Sequence, residues 1–108
     1  MARLDLPQGT LDLLVLRVLS GGEMHGWGIA QRLSVVSKEA LQLQEGTLYP
    51  ALYRMEAKGW IESEWAESEN NRRAKYYRLT RVGRRQLEAQ KESWDRLTAV
   101  VAQVLENA

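Results

Sequence analysis

The residues best able to do chemistry in this sequence are basic ones in its second half. Between Asn70 and Arg85 the chain has seven basic residues and no acidic one: Arg72, Arg73, Lys75, Arg78, Arg81, Arg84 and Arg85. The residues just before them are acidic, with Glu62, Glu64, Glu67 and Glu69. Arginine binds two phosphate oxygens through a planar fork, so a segregated basic stretch is typical of a surface for a polyanion. Pairing of these arginines with the glutamates across a hairpin is the alternative.

Other kinds of chemistry find little support. The chain has no cysteine and a single histidine, His25, which excludes disulfides, thiolate metal sites, cysteine nucleophiles and any site built from several histidines. Gly26 and Gly28 lack the preceding strand and third glycine of a dinucleotide-binding loop. No nucleophile–base pair is evident. We therefore predict that the protein is not an enzyme and uses neither a cofactor nor a metal.

The composition indicates one folded domain. The chain has 108 residues, of which 44% are hydrophobic and 27% charged, with a net charge of +1. Its most apolar stretch, Leu11–Leu19, is interrupted by Asp12 and Arg17 and is too short to cross a membrane. No small-residue cleavage site follows a basic start. We expect a cytoplasmic protein without a membrane partner.

Hydrophobic periodicity predicts two helices in the first third of the chain. Apolar residues of one helical face recur over 10–20, with Thr10 as a plausible N-cap and Gly21-Gly22 as a stop. A second helix is predicted from about His25 to Ser37. For His25 a capping or packing role is favoured over a sensor role.

A third helix is predicted from about Gly46 to Lys58, ending at Gly59. Leu48, Leu52 and Met55 form its inward stripe, and polar and aromatic residues occupy the other sides. Pro50 should be tolerated only near the first turn, where backbone N–H groups lack partners inside the helix.

The pattern then changes to a period of two, which predicts a two-stranded hairpin. Residues 60–65 alternate, residues 74–79 favour strand, and the polar segment between them has Asn70-Asn71 at its middle.

The last segment, from Thr80 to about Glu106, is predicted as one helix of roughly 40 Å. An apolar seam of about three heptads follows it, interrupted by Gln90 and formed by Leu87, Trp94, Leu97, Val101 and Val104. Such a small domain cannot cover this seam, so we predict a homodimer with these five residues at its interface.

This order of elements describes a winged helix-turn-helix: mainly α with a small β-hairpin, and with a long C-terminal dimerisation helix. Residues 1–79 would form the DNA-binding domain and 80–108 the dimerisation helix, within one structural unit. The third helix would enter the major groove of double-stranded operator DNA, and the hairpin would contact flanking phosphates.

The sequence resembles the PadR family of bacterial transcriptional regulators over nearly its whole length. The resemblance rests on Gly9-Thr10-Leu11, Met24-His25-Gly26-Trp27, Glu45-Gly46-Thr47-Leu48-Tyr49-Pro50-Ala51-Leu52, Lys58-Gly59-Trp60-Ile61, and Tyr77-Arg78-Leu79-Thr80 with Gly83. It implies a homodimeric repressor that binds a pseudo-palindromic operator and responds to a small hydrophobic or aromatic effector. Shorter members have a single C-terminal helix, as here. In some of them an aromatic residue of that helix lines a drug-binding pore, and Trp94 has a comparable place.

The candidate DNA-binding residues are Gln44, Thr47, Tyr49, Arg54, Arg72, Arg73 and Lys75. Thr47 and Tyr49 match the family's recognition-helix motif, although Tyr49 could pack between helices instead. Gln44, like Gln42, could read base edges or serve the loop, and Arg54 could bind phosphate or pair with a nearby glutamate.

Other assignments stay open at this point. Some of Arg78, Arg81, Arg84 and Arg85 must face away from DNA. Trp94 either fills the dimer seam or flanks a pocket for a flat aromatic ligand. The competing function is a dimeric winged-helix protein-interaction module that does not bind DNA.

Overall fold

The structure, a computed structural model, describes residues 6–7 and 9–108. Its elements in chain order are α1 (Thr10–Leu19), β1 (Met24–His25), α2 (Gly26–Val36), α3 (Glu45–Ala57), β2 (Ile61–Glu67), β3 (Arg73–Leu79) and α4 (Arg81–Asn107). The predicted fold class, a mainly helical winged helix-turn-helix with a long C-terminal helix, is confirmed. Each helix end lies within one residue of its predicted position.

The sheet has three strands where the sequence predicted two. The strand order is β1-β3-β2, and both pairings are antiparallel. The additional strand β1 pairs Met24 with Tyr77 and His25 with Tyr76. A strand of two residues is too short to show alternation, which is why the pattern did not reveal it. Because β3 is central, it joins the β2–β3 hairpin, hereafter the wing, to the segment that begins α2.

The start of α1 differs from the prediction. Thr10 was expected to cap this helix, but Gly9 holds the N-cap position and no side chain caps it. Gly9 has a φ of 88°, a left-handed conformation that glycine adopts without steric cost. Thr10 is the first helical residue, and its N–H donates to the carbonyl of Pro7 at 3.0 Å.

Side chains cap the two helices that follow a strand. The Nδ1 atom of His25 accepts from the N–H of Gly28 at 3.0 Å, so the predicted capping role of His25 is confirmed. The hydroxyl of Thr80 accepts from the N–H of Gly83 at 3.0 Å at the start of α4. Both caps satisfy donors that would lack a partner inside the helix.

The core lies between α1, α2, α3 and the inner face of the sheet. Its most deeply buried side chains are Val15, Leu16, Ile29, Leu52 and Met55. From α4, Leu87 joins this core and is only 6% exposed. This differs from the predicted dimer seam: Leu87 packs within its own chain and has little surface left for a partner.

Pro50 lies deeper in α3 than expected. It is the sixth residue of the helix, beyond the first turn. A proline there cannot donate to the carbonyl four residues earlier, that of Gly46. Gly46 and Pro50 are both exposed, so solvent can reach the carbonyl left without a helical partner.

The helix α4 extends well beyond the rest of the molecule. It has 27 residues, and every residue of 91–108 is exposed. In the part of the chain that the structure describes, no helix is both long and apolar enough to cross a membrane.

Candidate nucleic-acid interface

The helix α3 has one buried side and one exposed side. Its buried residues are Leu48, Ala51, Leu52 and Met55, which confirms the predicted inward stripe. The opposite side carries Gly46, Pro50 and Tyr53, all exposed. Two candidate DNA contacts, Gln44 and Thr47, are exposed at the N-terminal end. Gln44 is the N-cap residue, yet its side chain makes no capping hydrogen bond. Its amide is thus not used by the cap.

Tyr49 packs against the start of α2. A Cβ built on Gly26 would lie 2.6 Å from the Tyr49 hydroxyl oxygen and 2.7 Å from two of its ring carbons. The phenol therefore lies directly over a glycine that has to be small. Tyr49 is still 41% exposed, so it contacts α2 and also presents part of its ring to the surface. The expected packing between helices is present, and a DNA contact by the exposed part stays a prediction.

Arg54 is engaged within the protein. Its Nη2 donates to Oδ1 of Asp12 at 2.5 Å, which ties α3 to α1. Asp12 is buried, whereas the Arg54 side chain is half exposed. Of the two roles considered for Arg54, pairing with a carboxylate is the one seen, although the partner is an aspartate of α1 and not a nearby glutamate. This pairing competes with the predicted role of Arg54 as a phosphate contact.

The wing carries three candidate cations in three different states. Arg72 is exposed and has no ion pair among the described residues. The guanidinium carbon of Arg73 lies 5.6 Å from the centroid of the Trp65 ring, within cation–π range. Lys75 pairs with Glu56 of α3 at 3.4 Å. Arg72 and Arg73 are therefore more available to an external anion than Lys75, which is already paired with a carboxylate.

Arg78 pairs with Glu23 and with two glutamates of the acidic cluster, Glu62 and Glu64. Its Nε donates to Glu62 at 2.8 Å, and its Nη1 lies 3.7 Å from Glu23 and 3.8 Å from Glu64. The hydrogen bond to Glu62 raises the pKa of Arg78, and the negative charges of the three glutamates raise it further. The alternative of pairing across a hairpin thus holds for this one arginine.

Comparison with known proteins identifies the family. The family model described as the transcriptional regulator PadR-like family matches residues 15–89. This chain belongs to the PadR-like family. It is accordingly a transcriptional regulator and not an enzyme, as the sequence predicted.

Relatives of this PadR-like chain align with it almost end to end. The transcriptional regulator Rv3488 of Mycobacterium tuberculosis is 30% identical over 97 residues, which cover 90% of this chain and 87% of that protein. A PadR family transcription regulator from Clostridium difficile has 36% identity and a TM-score of 0.77, over 90% of this chain and 99% of that one. A PadR-like regulator from Bacillus cereus has 30% identity and a TM-score of 0.79, over 94% and 96%.

Two exposed tryptophans near the wing were not singled out from the sequence. Trp27, in the first turn of α2, is 63% exposed, and Trp65 of β2 is 57% exposed. They line a cleft of about 580 Å³ between the wing and the α2–α3 side of the PadR-like domain, together with Arg72 and Arg73. Alternation along β2 could have pointed to Trp65, because it shares a face with Ile61, whose side chain is buried.

His25 also lines this cleft and contacts two residues of the wing. Its Nε2 lies 3.6 Å from Glu69, and its ring meets that of Tyr76 edge-on at 5.2 Å. The capping nitrogen Nδ1 therefore acts as an acceptor while Nε2 faces a carboxylate.

At the other end of this PadR-like fold, α4 presents an uncovered apolar stripe. Trp94, Leu97, Val101 and Val104 of the predicted seam are all exposed. Trp94 is the least exposed of them at 38%, because it lies in an open groove of about 480 Å³ between α4 and the start of α1. Leu13 and Leu97 provide apolar parts of that groove. Among the described residues, no group of acidic or histidine side chains could hold a metal ion.

Proposed function

We propose that this PadR-like regulator is a homodimeric repressor that binds a pseudo-palindromic operator in double-stranded DNA. In this proposal α3 enters the major groove and the wing contacts flanking phosphates. The observation that carries it is the exposed outer side of α3 next to the uncovered cations Arg72 and Arg73. Electrostatic attraction to phosphates supplies affinity, and groups at the start of α3 supply sequence preference.

The proposed roles of the candidate residues follow from their contacts. Gln44 and Thr47 would contact base edges, and the exposed part of Tyr49 would contact phosphate or sugar. Arg72 and Arg73 would neutralise phosphates. Arg54 and Lys75 would contribute less, because each already pairs with a carboxylate of the chain.

The dimer is proposed from the uncovered face of α4. A stripe of large apolar side chains on an isolated helix is unfavourable in water, and a second copy offers a matching stripe. Residues 1–79 would then form the DNA-binding part and 80–108 the dimerisation helix. Two-fold symmetry would allow the two copies of α3 to meet successive major grooves, about 34 Å apart.

Binding can be tested by fluorescence anisotropy over a series of salt concentrations. The probes are a duplex from the DNA upstream of the protein's own gene and a random duplex of equal length. Arg72→Ala and Arg73→Ala should each flatten the slope of log affinity against log salt by about one unit on both duplexes. Arg17→Ala is the matched control, because Arg17 lies on α1 beside α4 and bonds to Ser20. Slopes equal to that of the parent would remove the wing from the interface.

Sedimentation and a reporter gene test the other parts of the proposal. Leu97→Glu should convert the dimer to a monomer in sedimentation velocity, whereas Arg96→Glu on the same turn should do so less. Deletion of the regulator should raise expression from its own upstream region if it is a repressor. A dimer that binds neither duplex at low salt would favour the protein-interaction module.

We also propose that the Trp94 groove accepts a flat aromatic or hydrophobic effector. The groove supports this because it is apolar on one side and places an indole at its wall. The test uses a variant that retains Trp94 as its only tryptophan, titrated with planar aromatic compounds. We expect such a compound to quench the fluorescence of Trp94 saturably while the variant stays dimeric. Absence of quenching, with a monomeric Trp94→Ala, would leave Trp94 as a seam residue only.

A further inference from the structure

Three exposed residues form a single line along the outside of α3. Gly46, Pro50 and Tyr53 are spaced by four and three residues, which places them one above another on a helix. Together they are called the outer line. It lies opposite the buried stripe, and Tyr53 is 77% exposed, whereas Tyr49, the other tyrosine of α3, is 41% exposed. When α3 faces a partner, these residues meet it first.

The outer line is nearly devoid of hydrogen-bonding groups. Gly46 has no side chain, Pro50 has neither a polar side chain nor a backbone N–H, and Tyr53 offers one hydroxyl on a large ring. Two of the polar residues beside the line, Arg54 and Glu56, are occupied elsewhere. Arg54 pairs with Asp12, and Glu56 accepts from Ser63 at 2.5 Å and pairs with Lys75.

Such a surface suits one feature of the DNA major groove. Thymine presents a C5-methyl group there, which apolar side chains recognise by contact, whereas the other base edges are read by hydrogen bonds. Gly46 would let the helix backbone come close to the groove, because a Cβ built there meets no other atom within 4 Å and the space outside is open. The rigid Pro50 ring loses no side-chain entropy on contact.

We propose that α3 reads thymine methyl groups through the rings of Pro50 and Tyr53. This inference rests on the proposed function and names what the same surface recognises. The occupant is duplex DNA because the exposed cations Arg72 and Arg73 line the same cleft as Tyr49, the residue before Pro50 on α3. From Gly46 to Tyr53 the helix rises about 10 Å, which matches three base-pair steps of 3.4 Å. Each operator half-site therefore contains one or two thymines within the four base pairs that these three steps join under α3.

The experiment removes the methyl group and nothing else. A duplex is first selected from a random library by binding to the full-length protein. Each thymine of both half-sites is then replaced by deoxyuridine, one symmetric pair of positions at a time. Affinity should fall about fourfold for each methyl lost from a contact, or roughly fifteenfold for a symmetric pair. Thymines outside the stretch under α3 are the internal control.

Variants of the protein connect the methyl effect to its residues. Tyr53→Ala and Pro50→Ala should each abolish the thymine–deoxyuridine difference at one position while still binding the deoxyuridine duplex. Tyr53→Phe keeps the ring and should retain the difference. A loss in Tyr53→Phe would show that the hydroxyl reads the base, and would overturn the role given to the ring.

The two proposals fail in different ways. Equal affinity for thymine and deoxyuridine at every position of a selected duplex would overturn the methyl readout and leave DNA binding intact. No enrichment of any duplex would instead contradict the proposed function, and with it this inference. An unchanged difference in both alanine variants would assign the methyl contacts to other residues and overturn the inference.

Discussion

Gly83 is the position where a single methyl group should damage the structure most. It is the third residue of α4 and faces the chain that leaves α3. A Cβ at Gly83 would lie 1.9 Å from the carbonyl oxygen of Trp60 and 2.9 Å from its carbonyl carbon. That oxygen cannot move freely, because it accepts from the N–H of Thr80 at 3.1 Å and from the Thr80 hydroxyl at 3.0 Å. Gly83→Ala must therefore displace backbone that other contacts hold in place.

The cost can be worked out from these distances. Restoring an ordinary contact of at least 3.4 Å requires a shift of about 1.5 Å, enough to break both hydrogen bonds to the Trp60 carbonyl. Loss of the two hydrogen bonds destabilises the fold by about 2 kcal/mol and overpacking by about 1–3 kcal/mol. The better helix propensity of alanine stabilises it by about 1 kcal/mol. We expect Gly83→Ala to lower the free energy of unfolding by about 3 kcal/mol, and the melting temperature by roughly 10–20 °C.

Gly46→Ala is the matched control for this prediction. Gly46 is also helical, but a Cβ there meets no other atom within 4 Å. Alanine at Gly46 should leave stability unchanged or raise it by up to about 1 kcal/mol. Both variants are unfolded in urea and followed by circular dichroism at one protein concentration, since a dimer's stability depends on concentration. A Gly83→Ala protein within about 0.5 kcal/mol of the parent would refute the reasoning.

Three further predictions concern single side chains. Arg54→Ala leaves the buried Asp12 without its counter-ion and should lower the free energy of unfolding in urea by about 1–2 kcal/mol. The loss is smaller than for a fully buried pair because the guanidinium is half exposed, and adding Asp12→Asn to the same chain should recover part of it. His25→Ala removes the cap of α2 and should cost about 1 kcal/mol, whereas His25→Asn should retain most of the stability. Burial raises the pKa of Tyr77 above 10.0, so this tyrosine ionises first in the unfolded chain and the stability of the fold falls as pH rises through that value. Between pH 9 and pH 11, Tyr77→Phe should therefore lose less stability than the parent protein, and equal losses in the two proteins would contradict this.

The helices could be predicted from the sequence because each carries its own apolar stripe. In α3, Leu48, Leu52 and Met55 determine which side is buried, and the other sides follow. The strand β1 could not be predicted, because Met24 and His25 form a strand only through pairing with β3, more than fifty residues later. The cap of α1 was misassigned because Thr10 is a favourable capping residue by type, whereas the turn at this point requires the left-handed conformation of Gly9.

The candidate interface was predictable by region more than by residue. The basic stretch and the motif around Tyr49 point to the wing and α3. The distribution of charge along the sequence does not show, however, which cation forms an ion pair within the folded chain. Arg54 and Asp12 are 42 positions apart, and only the fold brings them together. Exposure is likewise a property of the folded chain. The stripe predicts that Tyr49 and Tyr53 lie off the buried side of α3, but not that Tyr49 packs over Gly26 while Tyr53 is 77% exposed.

The position of Thr80 has a mechanical consequence. Its hydroxyl shares one proton between the carbonyl oxygens of Gly59 at 2.6 Å and Trp60 at 3.0 Å, and its oxygen accepts from the N–H of Gly83, so the end of α3, the end of β3 and the start of α4 meet at one residue. Because these hydrogen bonds hold the junction together, α4 should rotate with α3 and the wing as one rigid body. A rotation of roughly 5° about the far end of a helix of about 40 Å would shift its near end by about 3.5 Å, close to the rise of one base pair. In the proposed dimer, the crossing angle between the two copies of α4 would thus set the distance between the recognition helices, and a change of a few degrees there would put them out of phase with the operator.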